Sequence, residues 1–424
     1  DGNTVSDYDK EEMKRKFSIS TSLVPVIWGK YKINILDTPG FFDFVGEVEE
    51  AAAAADAAVI VVSGKSGVEV GTQKAWDLCE KYHLPRMIFV TEMDIDNVSY
   101  REVVEQLKEL YGRRISPLHM PIRENGKFVG YINIVKNKGR RYLDKGQKKE
   151  CEIPDYSKEY LAKYRETLME AVAETSDEFM ERYFEGDDFS VAEISSALSR
   201  NVKDGSLIPV CMGSPVCLHG VSNLLDDICG YFPGPDEREC KGVSVRTNEV
   251  FEADYDFQKS KSAFIFKTIA DPFLGKYSMI KVCSGVIKND DVLYNVNQDS
   301  EEKLNKLYVL EGSQPIEVEE LHAGDIGAIA KLGEANTGDT LAAKSVPVRY
   351  DKLEISKPYT AKRFKPKNKA DVDKISQAFS KLMQEDQTLK VVNDSDNHQT
   401  LVFCIGDQQI YVTVSKLLER YNGE

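Results

Sequence analysis

Residues 35–48 read ILDTPGFFDFVGEV. An apolar run delivers Asp37, then Thr-Pro-Gly, then the start of a helix. At the C-terminal end of a buried strand an aspartate can hold Mg²⁺ through water, and the amide of Gly40 can meet a γ-phosphate. That is the chemistry of a nucleotide hydrolase. The same residues also suit a plainer role, an aspartate N-cap with proline near the first helical position. Two phenylalanines, Phe41 and Phe42, stand where a group that handles water is expected.

Two further stretches carry the same kind of chemistry. Thr91-Glu92-Met93-Asp94 ends the apolar run RMIFV. In a nucleotide-binding sheet this place holds an aspartate that accepts from N1–H and N2–H of guanine; a polar strand-to-helix turn has the same composition. Gly213-Ser214 ends the run LIPVCM, where the backbone N–H of a small polar residue can support a base oxygen. Gly64-Lys65-Ser66 imitates half of a phosphate loop. The full pattern needs a glycine at position 59, and Val59 is there, so this reads as an ordinary loop. No GxxxxGK[ST] occurs in the chain.

The elements that must position these residues follow from periodicity. Residues 31–36 read as a strand, 44–56 as a helix, 57–62 as a fully apolar strand, 71–82 as a helix, 86–90 as a strand and 100–110 as a helix. Later come a strand at 206–212 and a helix at 221–231. Buried apolar strands alternating with helices predict a parallel sheet covered on both faces. Residues 113–205 interrupt this rhythm. Two strand-like runs (128–135 and 150–153) flank the basic tip KNKGRR, and helices over 156–174 and 189–201 follow, so the segment reads as an insertion on the sheet. After the linker PGPDEREC the period becomes 2, with seven short strands from 264 to 331 that spell a β-barrel. From about residue 355 the order is strand (359–364), helix (370–383), strand (389–392), strand (400–405), helix (409–421), a ferredoxin-like βαββα unit that stops before its final strand. The fold class is therefore α/β multidomain: a parallel sheet of the P-loop-NTPase type with an insertion, then a barrel, then a ferredoxin-like domain. The expected bodies are 1–236 (insertion about 113–205), 241–346 and 356–424. Residue 1 is Asp rather than Met, and with the missing final strand this is what a segment of a longer protein is expected to show.

Composition bounds the rest. With 424 residues, 42% hydrophobic and 29% charged, the chain suits two or three globular domains and needs no disulfide staple. No apolar stretch is long enough to span a membrane. The eight cysteines form no Cys-x-x-Cys pair and several sit in apolar strands, as expected of buried thiols in a reduced cytosolic protein; a zinc site is the other reading. The five histidines show no metal-ligand spacing. A net charge of −15 argues against a broad nucleic-acid footprint. Residues 349–374 are the exception, holding Arg349, Lys352, Lys357, Lys362, Arg363, Lys365, Lys367, Lys369 and Lys374. They form either a solvated basic face or an RNA contact surface.

Taken together, these motifs resemble the elongation factor G family of translational GTPases, including the tetracycline-resistance ribosome-protection relatives. DTPGFFDFVGEV is similar to that family's second switch, and TEMD occupies its guanine-specificity position. PVCMGSP with GVSNLLDDICGYFPGP is similar to its last nucleotide motif and helix. FKTIADPFLGKYSMIKVCSGVIKNDD and HAGDIGAIAKLGEANTGDTL resemble its second domain, and KNKADVDKISQAFSKLMQED its third. The resemblance covers nearly the whole chain. It implies a phosphate loop ahead of residue 1 and further domains beyond residue 424. It implies GTP and GDP with Mg²⁺ as ligands, held by Asp37, Gly40, Thr91, Asp94 and Ser214, with Ser18 and Asp37 on the metal. It implies the ribosome, both rRNA and ribosomal proteins, as partner, no membrane, a monomer and a cytoplasmic location. Departures are specific. Phe41 stands at the catalytic histidine position, Thr91 and Glu92 replace Asn and Lys, and Lys16 and Phe17 replace Gly and Ile in the first switch. A phenyl ring can neither orient nor polarise water, so impaired hydrolysis is expected. A non-hydrolysing paralogue that binds ribosomes or senses nucleotide is the alternative.

Overall fold

The computed structural model describes residues 4–271, 275–394 and 399–421. Contacts divide the chain into two compact units, Asp1–Ala55 with Gly234–Glu424, and Asp56–Pro233. The nucleotide-type body read over 1–236 is thus distributed over both.

The Asp56–Pro233 unit is built on a parallel sheet of Ala58–Ser63, Arg86–Thr91, Ile208–Met212 and Ile115–Pro117, in that order. Its centre is fully apolar: Met87, Ile88, Val90, Ile208 and Val210 are all 0% exposed. Helices Val70–Lys81, Tyr100–Tyr111 and Val221–Tyr231 connect or follow these strands. In Tyr100–Tyr111 the buried positions are Tyr100, Val103, Val104 and Leu107, the spacing of one helical face, and the Ser99 hydroxyl accepts from the Glu102 N–H as N-cap.

The insertion carries more structure than its periodicity suggested. Four antiparallel strands run as a meander: His119–Glu124, Lys127–Asn133, Lys138–Tyr142 and Lys148–Cys151. Lys138–Tyr142 is KGRRY, whose charges and lack of a period-2 apolar pattern hide it, although Gly139 and Tyr142 are buried. Ile115–Pro117, inside the stretch read as insertion, pairs in the parallel sheet. Helix Asp177–Glu185 was not anticipated either, although Phe179, Met180, Tyr183 and Phe184 form an apolar stripe at helical spacing; none of them is fully buried.

In the other unit, strand Tyr31–Asp37 departs from expectation. It was read as a member of the parallel sheet, yet its ladder is antiparallel with Ser22–Trp28. A two-residue loop, Gly29-Lys30, closes this hairpin, and Gly29 sits at φ +58, where glycine meets no steric penalty. The barrel is an eight-stranded antiparallel sheet supplemented by short strands. Its strand Ser262–Asp271 is buried on both faces, Ala263 and Ile265 in one core, Phe264 and Phe266 in another. The second core takes in Leu23 and Ala54, so the N-terminal segment covers that side of the barrel.

The last body is the expected βαββα: Thr360–Phe364, Val372–Glu385, Lys390–Asp394, Gln399–Cys404 and Asp407–Tyr421, with Gln399–Cys404 as central strand. Ile375, Ala378, Phe379 and Leu382 supply its buried helix face. The expected body ran to residue 424; residues 422–424 lie outside the described residues, as do His398 and residues 272–274 of the barrel motif. All eight cysteines are free thiols, and among the described residues no helix is long and apolar enough to cross a membrane.

Candidate functional site

In the Asp1–Ala55, Gly234–Glu424 unit, Asp37 closes strand Tyr31–Asp37 in register with Ser22. Pro39 is buried and Gly40 exposed, with open space where a Cβ would stand. Ser18 lies four residues before Ser22, the register partner of Asp37. The Ser18 hydroxyl donates to Asp7 Oδ1 at 2.8 Å. The donated proton leaves the oxygen's lone pairs for a cation, and hydroxyl and carboxylate oxygens are the hard donors Mg²⁺ takes. The residues fit that ion.

Phe41 is 46% exposed and packs its ring against Phe17, centroids 4.6 Å apart. Phe17 in turn lies 6.3 Å from Phe44 and joins a small core with Ile19, Phe44 and Val412. Phe42 stacks on Tyr359 at 6.1 Å. Two of the family departures, Phe17 and Phe41, are therefore one apolar contact. A third has a backbone cause. Lys16 occupies a left-handed conformation (φ 61, ψ 37) at the end of helix Lys10–Arg15, its N–H donating to the Glu12 carbonyl at 2.7 Å. Glycine suits this position without strain.

The segment around Ser18 is fastened from inside. Glu12, 1% exposed, accepts from the N–H groups of Ile19 (2.9 Å), Ser20 (3.1 Å) and Asp9 (3.1 Å). Burial raises its carboxyl above the usual range despite those bonds. The helix after Phe44, Val45–Ala54, is fastened too. Asp43 Oδ2 accepts from the N–H groups of Gln408 (2.8 Å) and Gln409 (3.3 Å) at the start of helix Asp407–Tyr421. Glu49 accepts from Ser356 N–H at 2.8 Å. Lys267, 2% exposed on a barrel strand, pairs with Glu47 and lies 3.8 Å from Glu50. Glu47 also accepts from Thr21 N–H at 2.6 Å. Burial opposes the ammonium, but Glu47 and Glu50 outweigh it and hold the Lys267 pKa above its ordinary value. Burial drives the Glu50 carboxyl well up, with Lys267 acting the other way. Sequence reading missed Lys267; the only signal was a lysine inside the apolar strand SAFIFKTIAD.

In the Asp56–Pro233 unit, the structure brings the other two motifs together. Met93 N–H donates to the Gly213 carbonyl at 3.3 Å, and Gly213 N–H to the Val90 carbonyl at 2.9 Å. A Cβ on Gly213 would stand 2.3 Å from the His219 carbonyl oxygen, so only glycine fits there. Asp94 is exposed beyond buried Met93, its carboxylate open to a ligand. Glu92 sits at φ 62 and accepts from the Ser63 hydroxyl. Ser214 is fully buried and its N–H donates to the His219 carbonyl at 2.8 Å, so the amide expected to face a base is engaged within its own loop. Gly64-Lys65-Ser66 is the ordinary loop it was read as: Gly67 N–H donates back to Ser63 at 2.8 Å and Gly64 N–H to Thr91 at 3.0 Å.

Comparison with known proteins covers most of the chain. Residues 1–234 match the elongation factor Tu GTP binding domain, 260–344 elongation factor G domain 2, and 355–424 elongation factor G domain III. The crystal structure of a protein from Thermus thermophilus is similar at 30% identity and TM-score 0.87, covering 100% of this chain and 61% of that one. The chain thus spans less than two thirds of that protein's length.

Proposed function

Because the chain belongs to the elongation factor G family of translational GTPases, we propose that it is part of a cytoplasmic, monomeric factor that binds GTP and GDP, works on the ribosome and hydrolyses GTP poorly. In this reading 1–236 is the nucleotide domain, 241–346 the barrel and 356–424 the ferredoxin-like domain. No phosphate loop occurs in the 424 residues, so tight phosphate binding requires one supplied from elsewhere in the polypeptide.

Each site residue has a distinct task. Asp94 accepts from N1–H and N2–H of guanine, a pairing that rejects the adenine edge. Asp37 and Ser18 hold Mg²⁺, which neutralises phosphate charge when bound. Gly40 offers an amide with room around it. The clamp of Asp43, Glu47 and Glu49 transmits the position of helix Val45–Ala54 to the barrel and the last domain. Arg349, Lys352, Lys357, Lys362, Arg363, Lys365, Lys367, Lys369 and Lys374 are all exposed, which supports rRNA phosphates as their contact.

The observation that carries impaired hydrolysis is the Phe41 ring resting on Phe17 at 4.6 Å, an apolar contact where water must be oriented. That contact also favours the stricter reading, a paralogue that binds without turnover. The test measures GTP affinity and ribosome-stimulated hydrolysis together, in a polypeptide that carries a phosphate loop. GTP binding with hydrolysis far below that of a histidine-bearing relative is expected. Rapid hydrolysis, or no guanine binding, would overturn the reading.

A further inference from the structure

Three donor side chains from separate elements meet inside the Asp56–Pro233 unit. His119 opens the insertion's first strand, Cys211 lies on strand Ile208–Met212, and Asp227 lies on helix Val221–Tyr231. Cys211 Sγ is 3.2 Å and His119 Nδ1 3.7 Å from the same oxygen, Asp227 Oδ2, and all three donor atoms lie within 4.8 Å of one another. His119 and Cys211 are 3% and 1% exposed. The Asp227 side chain keeps 14%.

A Cys211–Asp227 hydrogen bond accounts for two of these groups. It leaves His119 Nδ1 buried with no hydrogen-bond partner among the described residues. An orphaned buried polar atom costs free energy, and native cores rarely keep one. A cation at the centre of the three satisfies all of them. Imidazole nitrogen, thiolate sulfur and carboxylate oxygen are a donor set suited to zinc. At tetrahedral angles and zinc–ligand lengths of about 2.0–2.3 Å, ligand atoms stand roughly 3.3–3.6 Å apart. The Cys211–Asp227 and His119–Asp227 separations of 3.2 and 3.7 Å lie close to that spacing, and the third donor pair lies within 4.8 Å.

We propose that His119, Cys211 and Asp227 form a binding site for a tetrahedral transition-metal cation of the zinc class, with water in the fourth position on the Asp227 side. The site ties the insertion to the central sheet and its last helix. The protonation states agree with this geometry. Burial, helped by Lys148 and Lys136, pushes the His119 pKa down to about 3, so its imidazole is neutral with a lone pair available. Burial also raises the Asp227 carboxyl to about 7 and the Cys211 thiol well above its ordinary value, so cation binding releases protons. The five histidines showed no ligand spacing because the three donors come from three distant segments.

The test titrates cobalt(II) into the metal-free 424-residue chain. One equivalent should produce a thiolate-to-cobalt charge-transfer band and the visible bands of a tetrahedral ion, and zinc should abolish both. Cys211→Ser should remove the charge-transfer band, while Cys217→Ser, at an exposed thiol, should leave it intact. Asp227→Asn and His119→Gln should each weaken cobalt at least about tenfold. A wild-type chain without the charge-transfer band overturns the proposal, as does a band undiminished in Cys211→Ser. If circular dichroism shows Cys211→Ser unfolded, the other two variants decide: cobalt affinity unchanged in both overturns it.

Discussion

The rings of Phe17 and Phe41 lie 4.6 Å apart, centroid to centroid, and inclined by 54°. The two side chains come from segments that resemble the first and second switches, so the contact joins these segments. Aromatic pairs of this kind contribute about 0.5–1.5 kcal/mol beyond burial, and Phe41's partial exposure favours the lower end. A double-mutant cycle of Phe17→Ala and Phe41→Ala should show a coupling of about 0.5 kcal/mol or more by chemical denaturation. Strict additivity would mean that the rings touch without stabilising each other.

Lys16 holds a left-handed backbone that costs a non-glycine residue about 1 kcal/mol. Lys16→Gly should recover part of that and raise the thermal midpoint, with the secondary structure by circular dichroism unchanged. A lowered midpoint would show that the lysine side chain contributes more than the strain removes.

Glu50 gives a pH signature. Its folded pKa is raised well above 4.5, chiefly by burial, with Lys267 acting the other way. An acid whose folded pKa is raised binds its proton more tightly when folded. Its contribution is therefore most favourable below about pH 4.5 and declines as pH rises toward the folded value. Glu50→Gln should raise the denaturation midpoint near pH 7 and leave it unchanged near pH 4. An equal change at both pH values would contradict the burial argument.

At the loop proposed to recognise the base, Thr91 lacks an amide and Glu92 lacks a lysine stem to lay over a purine. Thr91→Asn with Glu92→Lys should tighten GTP by roughly tenfold to a hundredfold, the equivalent of about 1–3 kcal/mol, in a polypeptide that carries a phosphate loop. The preference for guanine over adenine should persist through Asp94. Calorimetry showing unchanged GTP affinity, or a wild type that prefers ATP, would reduce TEMD to a turn.

Much of the fold was legible because burial leaves a periodic mark. Val103, Val104 and Leu107 announce their helix, and the apolar 87–90 run announces a central strand. Elements without that mark were lost. Asp177–Glu185 is a short helix with no fully buried residue, and KGRRY shows no period-2 alternation to read. Hairpin Ser22–Trp28 with Tyr31–Asp37 was recoverable from Gly29-Lys30 between two apolar runs, but the second run was read with the parallel strands. The nucleotide motifs are contiguous, so they can be read from spacing. Contacts made only by folding cannot: Lys267 with Glu47, and His119 with Cys211 and Asp227, join residues far apart in the chain. Likewise, only the backbone shows that the Ser214 amide is engaged by His219.

The phenyl ring at position 41 is proposed to limit GTP hydrolysis. Ribosome-stimulated hydrolysis should be measured for the wild type and for Phe41→His, in a polypeptide that carries a phosphate loop. A side chain that orients and polarises water contributes about 10²-fold or more. A slow wild type and a gain of roughly that size with histidine are expected. A wild type as fast as a histidine-bearing relative, or a substitution that brings no gain, would contradict the proposal.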